Sequence, residues 1–189
     1  YQERKELTSF SGEDFQLLWS FDAGTGLLMS AIRTPVYHEA MAMRLAARSL
    51  ELRPDNPDAL ALWVSSNFSR EIDSPAGYEN PTYAKGRRDA MYYAVASGAG
   101  VGQRVLGRAL SSNDTPLARR AIAAIEQTAG GSSLWADTAG QRPLLSALTY
   151  PNRRVQFDAA LALAAAQPNT AFDGSERVVP ILAGAIHES

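Results

Sequence analysis

The chain has 189 residues, of which 46% are hydrophobic and 20% are charged, and its 18 basic side chains nearly balance its 20 acidic ones. This is the composition of a folded globular protein, which excludes a disordered chain. Because cysteine is absent, a disulfide scaffold, a thiol enzyme and a cysteine-bound zinc or iron–sulfur centre are excluded as well.

Charge is divided unevenly along the chain. Residues 1–80 carry 7 basic and 12 acidic side chains (net −5), whereas residues 81–189 carry 11 and 8 (net +3). This division predicts two parts with different surfaces. Neither part has the strong positive balance that is typical of a dedicated nucleic-acid binder.

No segment of the sequence is long and apolar enough to span a membrane. The uncharged stretch 159–172 is shorter than the roughly 18–20 apolar residues that a spanning helix needs, and Pro168 interrupts it. The sequence begins with Tyr1 and shows no leader pattern, so we expect a chain that has been processed or trimmed. The bacterial cytoplasm and an exported or periplasmic location are both compatible with these features.

The first predicted element follows a polar stretch over residues 1–10. Ser11 is suited to cap a short helix, which the glycine-containing segment 24–26 would end. This helix would bury one apolar face, formed by Phe15, Leu18 and Trp19. A second apolar stretch, 27–32, ends before Pro35.

A helical hairpin is predicted next. From residue 38 to residue 52 the apolar residues recur at three- and four-residue spacing, which predicts a helix. Pro54 and the turn residues 55–57 separate it from a second predicted helix over 59–70. Two helices joined by a short turn form an antiparallel hairpin.

The run LAARSLELRPDNPDALALW in this hairpin resembles the junction between two tetratricopeptide repeats. Ala42 and Ser49 are small residues at positions where that family packs closely, and Pro54 occupies its closing proline position. The resemblance implies a tetratricopeptide-like hairpin in the N-terminal part of the chain.

A linker and a third helix follow. Residues 73–81 are rich in turn-forming residues. The next helix is predicted over 82–97, and the glycines within 98–102 are expected to separate it from the helix that follows. Its buried side is expected to carry Ala90, Met91, Ala94 and Val95. A phosphate-binding loop explains these glycines less well, because such a loop requires a preceding β-strand.

The second half of the chain repeats with a period of 38 residues. Each unit is predicted to form a short helix, a tight turn and a longer alanine-rich helix, which is typical of an α-solenoid. Thr115 is suited to cap one longer helix, with Pro116 at its first helical position, and the glycines at 130–131 are suited to end it. The positions that align are Leu106 with Leu144 and Leu182, Leu110 with Leu148 and Ile186, Leu117 with Val155, Ala121 with Ala159, and Ile125 with Leu163.

The segments VLGRALSSNDTPLARRAIAAI and PLLSALTYPNRRVQFDAALALAAAQP look like HEAT repeats. Together with FDGSERVVPILAGAI, they are similar to HEAT-repeat-domain proteins of planctomycete-type bacteria. The resemblance covers residues 101–189 and implies an all-α fold, a right-handed α-solenoid of antiparallel helical hairpins. HEAT repeats commonly carry an arginine just after the valine that opens the second helix; here Ala118 follows Leu117 and Gln156 follows Val155 at that position.

We therefore expect three regions: an N-terminal helical part over 1–72, a linker over 73–81 and HEAT-like repeats over 82–189. The stretch 178–186 matches only the first helix of a third unit, and no polar capping element follows it. We expect the chain to be a fragment of a longer protein.

Catalytic and metal-binding patterns are missing from the sequence. The 2 histidines are His38 and His187, and neither has a second ligand at metal-binding spacing. We therefore interpret both as surface histidines and not as metal ligands. No serine lies in a nucleophile-elbow pattern. The carboxylate pairs at 13–14 and at 55 and 58 fall at predicted helix starts, where acidic residues stabilise the helix dipole. The sequence therefore predicts no enzyme, no cofactor and no metal.

Arginines are the candidate binding residues. The resemblance to HEAT repeats implies that the second helices line a concave face, and guanidinium groups there could bind an acidic peptide, phosphate or a nucleic-acid backbone. The alternative is that these side chains only form surface ion pairs with Asp114, Glu126 or Asp158. The candidates are Arg104, Arg108, Arg119, Arg120, Arg153 and Arg154.

These features favour a non-catalytic scaffold that holds a protein partner on its concave surface, as an elongated helical monomer. One alternative is binding of a nucleic-acid backbone by the arginines, by analogy with HEAT-like alkylpurine DNA glycosylases, and it is the less favoured because the second half has a single lysine. The other is a positioning module in a larger protein whose active domain follows residue 189.

Overall fold

The computed structural model describes residues 12–128, 142–168 and 171–187. Its described part is mostly helical, with eight α-helices and one two-stranded antiparallel sheet. The chain forms two compact units, Tyr1–Ala90 and Met91–Ser189.

The first unit begins with a β-hairpin, so the prediction of a helix after Ser11 is wrong; Ser11 itself lies outside the described residues. Strand β1 (Phe15–Asp22) pairs antiparallel with β2 (Gly26–Arg33), with Phe15 opposite Arg33 and Asp22 opposite Gly26. Phe15, Leu17, Trp19 and Phe21 alternate with period two, as in a strand. Phe15, Leu18 and Trp19 also have the three- and four-residue spacing of a helix, which is why the sequence suggested one.

The turn of the hairpin is built by Asp22. Its Oδ1 atom accepts hydrogen bonds of 2.9 Å from the backbone N–H groups of Gly24 and Thr25 and from the Thr25 hydroxyl. These three bonds hold the pKa of the Asp22 carboxyl below its ordinary value. Gly26 has a φ of +82°, a conformation that glycine adopts without strain.

The predicted helical hairpin is confirmed. Helices α1 (Tyr37–Leu52) and α2 (Pro57–Asp73) pack against each other. Asn56 caps α2, because its side-chain oxygen accepts bonds of 3.1 and 3.2 Å from the N–H groups of Asp58 and Ala59. The Asn56 amide group also donates to the Ser49 hydroxyl in α1, at 3.3 Å.

One face of the β-hairpin packs on the core of this unit. Leu18 and Ile32 are buried there with Val36, which lies in the short 3-10 helix Thr34–Val36, and with Ala40 of α1.

His38 is also buried, with 4% of its surface exposed, so the prediction of a surface histidine is wrong at this position. The side chain of His187 lies outside the described part.

Aromatic and arginine side chains attach the segment 74–89 to α2. The Tyr83 ring lies 4.9 Å from the guanidinium of Arg70 and 4.4 Å from that of Arg87. The side-chain oxygen of Asn67 accepts a 3.2 Å hydrogen bond from each arginine. Burial raises the pKa of the Tyr83 hydroxyl, although the two arginines oppose the shift.

The helix predicted over 82–97 begins later than expected. Helix α3 covers Ala90–Ser97, and the N–H group of Ala90 donates a 2.7 Å hydrogen bond to the Glu71 carboxylate. Of the four residues predicted on its buried side, Ala90 and Ala94 are buried, whereas Met91 and Val95 are half-buried. Residues 82–89 are not helical because they form the turns that bring Tyr83 and Arg87 onto α2.

In the second unit, like helices of the two predicted repeats pack together. Helix α4 packs on α5 and α6, α5 packs on α7, α6 packs on α7, and α7 packs on α8. The aligned residues of the longer helices, from Leu117 and Val155 to Ile125 and Leu163, are all buried. These helices are α4 (Ala99–Ser111), α5 (Thr115–Thr128), α6 (Pro143–Ala147), α7 (Arg153–Ala165) and α8 (Ser175–His187).

The glycines before and within α4 have different roles. Gly98 separates the helices, with a φ of +84°, and α4 begins immediately after it. Gly102 lies inside α4 where a Cβ atom would be 2.8 Å from Cγ1 of Ile125 in α5, so glycine permits close packing of the two helices.

Polar side chains cap the starts of α5 and α7, and the cap of α5 is not the predicted residue. Asp114, not Thr115, caps α5, since its carboxylate accepts a 3.0 Å bond from the Leu117 N–H group. Asn152 caps α7 in the same way, through a 3.0 Å bond from Arg154 N–H. The predicted helix end at 130–131 lies outside the described residues.

Candidate interaction surfaces

We use the name α5–α7 face for six side chains of the longer helices that are not buried: Arg119, Arg120, Arg154, Phe157, Asp158 and Leu161. The Arg119 Nε–H group donates a 2.6 Å hydrogen bond to the Asp158 carboxylate. The two side chains are 45% and 31% exposed, so the pair links α5 to α7 at the surface. The hydrogen bond raises the pKa of the Arg119 guanidinium, and the pair has no net charge.

Arg120 and Arg154 carry the positive charge of this face. Both side chains are exposed, and neither forms an ion pair with another residue in the described part of the chain. Leu161 adds an apolar side chain that is 54% exposed. Two guanidinium groups and one apolar side chain on these two helices are therefore accessible to a ligand.

The structure does not bring all six candidate arginines into one cluster. The Arg153 guanidinium lies 5.6 Å over the Phe157 ring, and one of its nitrogens is 3.2 Å from where a Cβ atom of Gly184 would be, so Arg153 packs towards α8. Arg104 and Arg108 are half-buried on α4, and both have interaction partners.

A second surface is apolar and was missed in the sequence. Alternate residues of the two strands form what we call the hairpin face: Phe15, Leu17, Trp19, Phe21, Leu27 and Met29. These side chains are between 47% and 76% exposed. Cross-strand pairing places them on one side of the sheet, opposite the side that buries Leu18 and Ile32. The sequence signal for this face is the alternation of Phe15, Leu17, Trp19 and Phe21, which the apolar Leu18 interrupts.

The hairpin is fixed to the rest of its unit along both edges. Arg44 of α1 donates a hydrogen bond to the Trp19 carbonyl oxygen in β1. The N–H group of Arg33 in β2 donates to the Tyr78 hydroxyl at 3.1 Å. The guanidinium of Arg33 lies 5.0 Å over the Phe15 ring. These contacts hold the hairpin in place, and its six apolar side chains stay 47–76% exposed even though Arg33 lies over Phe15.

Two shallow clefts lie near α8. One has a volume of about 300 Å³ and is mainly apolar, with Leu163, Phe172 and Val178 among its lining residues. The other has a volume of about 310 Å³ and is lined by charges of both signs, including Arg177 and Asp173.

Among the described residues, no group of three or more His, Cys, Asp or Glu side chains could hold a metal ion. No helix in the described ranges could cross a membrane.

No family model, curated protein or solved structure matches this chain.

Proposed function

We propose that the chain is a non-catalytic α-solenoid scaffold, HEAT-like in its second half, whose α5–α7 face binds an acidic segment of a protein partner. In this proposal the longer helices line the concave side of a right-handed solenoid. The observation that carries the proposal is the pair of exposed arginines, Arg120 and Arg154, on two helices that contact each other.

Packing in the second unit supports the repeat architecture. The first helices α4 and α6 contact each other, and so do the longer helices α5 and α7. Stacked hairpins bury their apolar faces against neighbouring hairpins in this way. Ala121 and Ala159, which align in the repeat, are both completely buried.

The chemistry of the α5–α7 face supports a carboxylate ligand. A guanidinium group can donate two parallel hydrogen bonds to a carboxylate, which gives orientation as well as attraction. The Arg119–Asp158 pair holds α5 and α7 together beside these groups. Leu161 would contact an apolar side chain next to the acidic residues of the partner.

The same face is less suited to a nucleic-acid backbone. A strand of phosphates attracts an extended positive surface, whereas Asp158 neutralises Arg119 and an exposed Glu126 lies further along α5. The whole chain has a formal net charge of −2. These charges favour a short acidic peptide segment over a polyanion.

Affinity capture from lysate of the source cells tests the proposal, with nuclease present and absent. The baits are the wild-type chain, the variant Arg120→Glu/Arg154→Glu, and a matched control, Arg48→Glu/Arg53→Glu, which reverses two exposed arginines in the first unit. We expect a discrete protein to be captured by the wild type and by the control in the presence of nuclease, and to be lost with the Arg120→Glu/Arg154→Glu bait.

Two results would contradict this function. If nuclease abolishes the capture, the ligand is a nucleic acid. If the Arg120→Glu/Arg154→Glu bait captures the same protein as the wild type, the α5–α7 face does not bind it. Circular dichroism of all three baits excludes unfolding as the cause of a loss.

A further inference from the structure

We propose that the hairpin face is a homodimer interface, in which two copies of this chain stack their apolar sheet faces about a twofold axis. The proposal concerns the first unit and is independent of the α5–α7 face. It replaces the monomer that the sequence alone predicts.

The area of the hairpin face fits a dimer. Six large apolar side chains that are 47–76% exposed amount to about 650 Å² of apolar surface, given the size of such side chains. Exposed apolar patches of this size on a single chain mark interaction sites. Two copies would bury about 1,300 Å² in total, which lies within the range of specific protein–protein interfaces.

The other surfaces of the hairpin are already used within the chain. Leu18 and Ile32 on the opposite face are buried in the core, and hydrogen bonds from Arg44 and to Tyr78 hold the two edges. The N-terminal residues 1–11 have four charged side chains in their sequence, so their composition is a poor match for a large apolar face. A second hairpin face is an apolar surface of equal size.

The charges of the hairpin are compatible with twofold symmetry. Arg33, at the open end of the hairpin, is the charged residue that shares a side of the sheet with the six apolar residues. An eight-residue strand is about 23 Å long. A twofold axis perpendicular to the strands places the turn of one copy over the open end of the other, which keeps the two Arg33 side chains at opposite ends of the interface.

A lipid surface is a less favoured partner of the hairpin face than a second copy of the chain. Residues 1–80, which contain the hairpin, have a net charge of −5, and anionic membranes attract basic segments. The Arg33 side chain is directed over the Phe15 ring of the hairpin face.

The test is the mass of the chain in solution over a dilution series, measured by analytical ultracentrifugation. We expect the wild type to reach twice its chain mass of 20.3 kDa. The variant Trp19→Glu/Phe21→Glu should raise the dimer dissociation constant by about 100-fold or more, as central aromatic residues of interfaces do. The matched control Leu52→Glu/Val179→Glu changes two apolar residues that are 75% and 73% exposed elsewhere, and it should remain dimeric.

Cross-linking locates the interface independently. The chain has no cysteine, so Ala31→Cys, which lies opposite Leu17 in the hairpin face, introduces a single thiol. A short bismaleimide should join two copies of this variant, whereas Leu52→Cys should not be joined.

Three outcomes would overturn the proposal. The first is a wild-type chain that stays monomeric at every concentration. The second is a dimer that persists in Trp19→Glu/Phe21→Glu, because the interface would then lie elsewhere. The third is a monomer that floats with phosphatidylserine-containing vesicles and loses this binding in the same variant, which would assign the face to a membrane.

Discussion

At the scale of single residues, two glycines in α4 provide an internally controlled test of how closely the helices pack. A Cβ atom on Gly102 would lie 2.8 Å from Ile125, whereas one on Gly100 would have no heavy atom within 4 Å. Gly102→Ala should therefore lower the free energy of unfolding by about 1–3 kcal/mol through overpacking. Gly100→Ala should raise it by about 0.5–1 kcal/mol, because alanine favours helix. Urea denaturation of both variants measures the two effects; equal shifts would contradict the close approach of α4 and α5.

Tyr83 predicts a pH dependence of stability. Burial raises the pKa of its hydroxyl in the folded state above the ordinary value of 10.0. The contribution of this group is therefore complete below pH 10.0 and is lost as the pH rises through the folded-state pKa, since the unfolded chain releases the proton more readily. Tyr83→Phe should lose less stability than the wild type between pH 9 and pH 11, a window of about one unit on either side of the ordinary pKa.

Chemical denaturation across that pH range measures the effect. The control is Tyr92→Phe, which changes a tyrosine that is 55% exposed and should lose as much stability as the wild type over this range. If Tyr83→Phe and the wild type lose stability equally above pH 10.0, the Tyr83 hydroxyl is not desolvated.

At the scale of the helices and strands, the aligned alanines of the repeat test the contact between α5 and α7. Ala121 and Ala159 are completely buried. Ala121→Leu or Ala159→Leu should cost about 1–3 kcal/mol of unfolding free energy, because a larger side chain has no room there. Ala165→Leu, at an exposed position of α7, is the matched control and should be nearly neutral. Thermal and urea unfolding of the three variants measures the difference, and a neutral Ala159→Leu would mean that its side chain does not face the core.

The longer helices could be predicted from the sequence because two independent signals agree for them. The apolar residues have helical spacing, and the period of 38 residues predicts which positions are buried. Leu117 and Val155, which align, are 1% and 0% exposed. Asp158 was one of three acidic residues that the sequence offers as ion-pair partners for the arginines, and it pairs with Arg119.

The β-hairpin could not be predicted by the same reasoning, because Leu18 fits two patterns. With Phe15 and Trp19 it has helical spacing, but Phe15, Leu17, Trp19 and Phe21 also alternate as in a strand. The tertiary contacts of Leu18 and Ile32 with Ala40 favour the strand. The start of α3 was missed for a related reason: the contact between Tyr83 and Arg70 depends on side chains distant in sequence.

At the scale of the whole molecule, the candidate sites could be predicted only in part. The sequence shows which arginines are available, but their partners depend on packing: Arg153 turns towards Gly184, and Arg104 is half-buried. The hairpin face was missed because its exposure follows from which side of the sheet the core covers. Residue types can be read from the sequence, whereas the covered side is a property of the folded unit.

The division into two compact units predicts that each unit opens by itself. Phe68 in the first unit and Leu163 in the second are 1% and 0% exposed. Phe68→Ala should destabilise its own unit by about 3–5 kcal/mol and Leu163→Ala its own by about 2–5 kcal/mol, through lost apolar burial and a cavity. Hydrogen exchange followed by mass spectrometry should show faster exchange in α1 and α2 for the first variant and in α5 and α7 for the second, because local opening follows compact units. If either variant accelerates exchange equally in all four helices, the chain unfolds as one cooperative body, and the two buried clusters act as a single core.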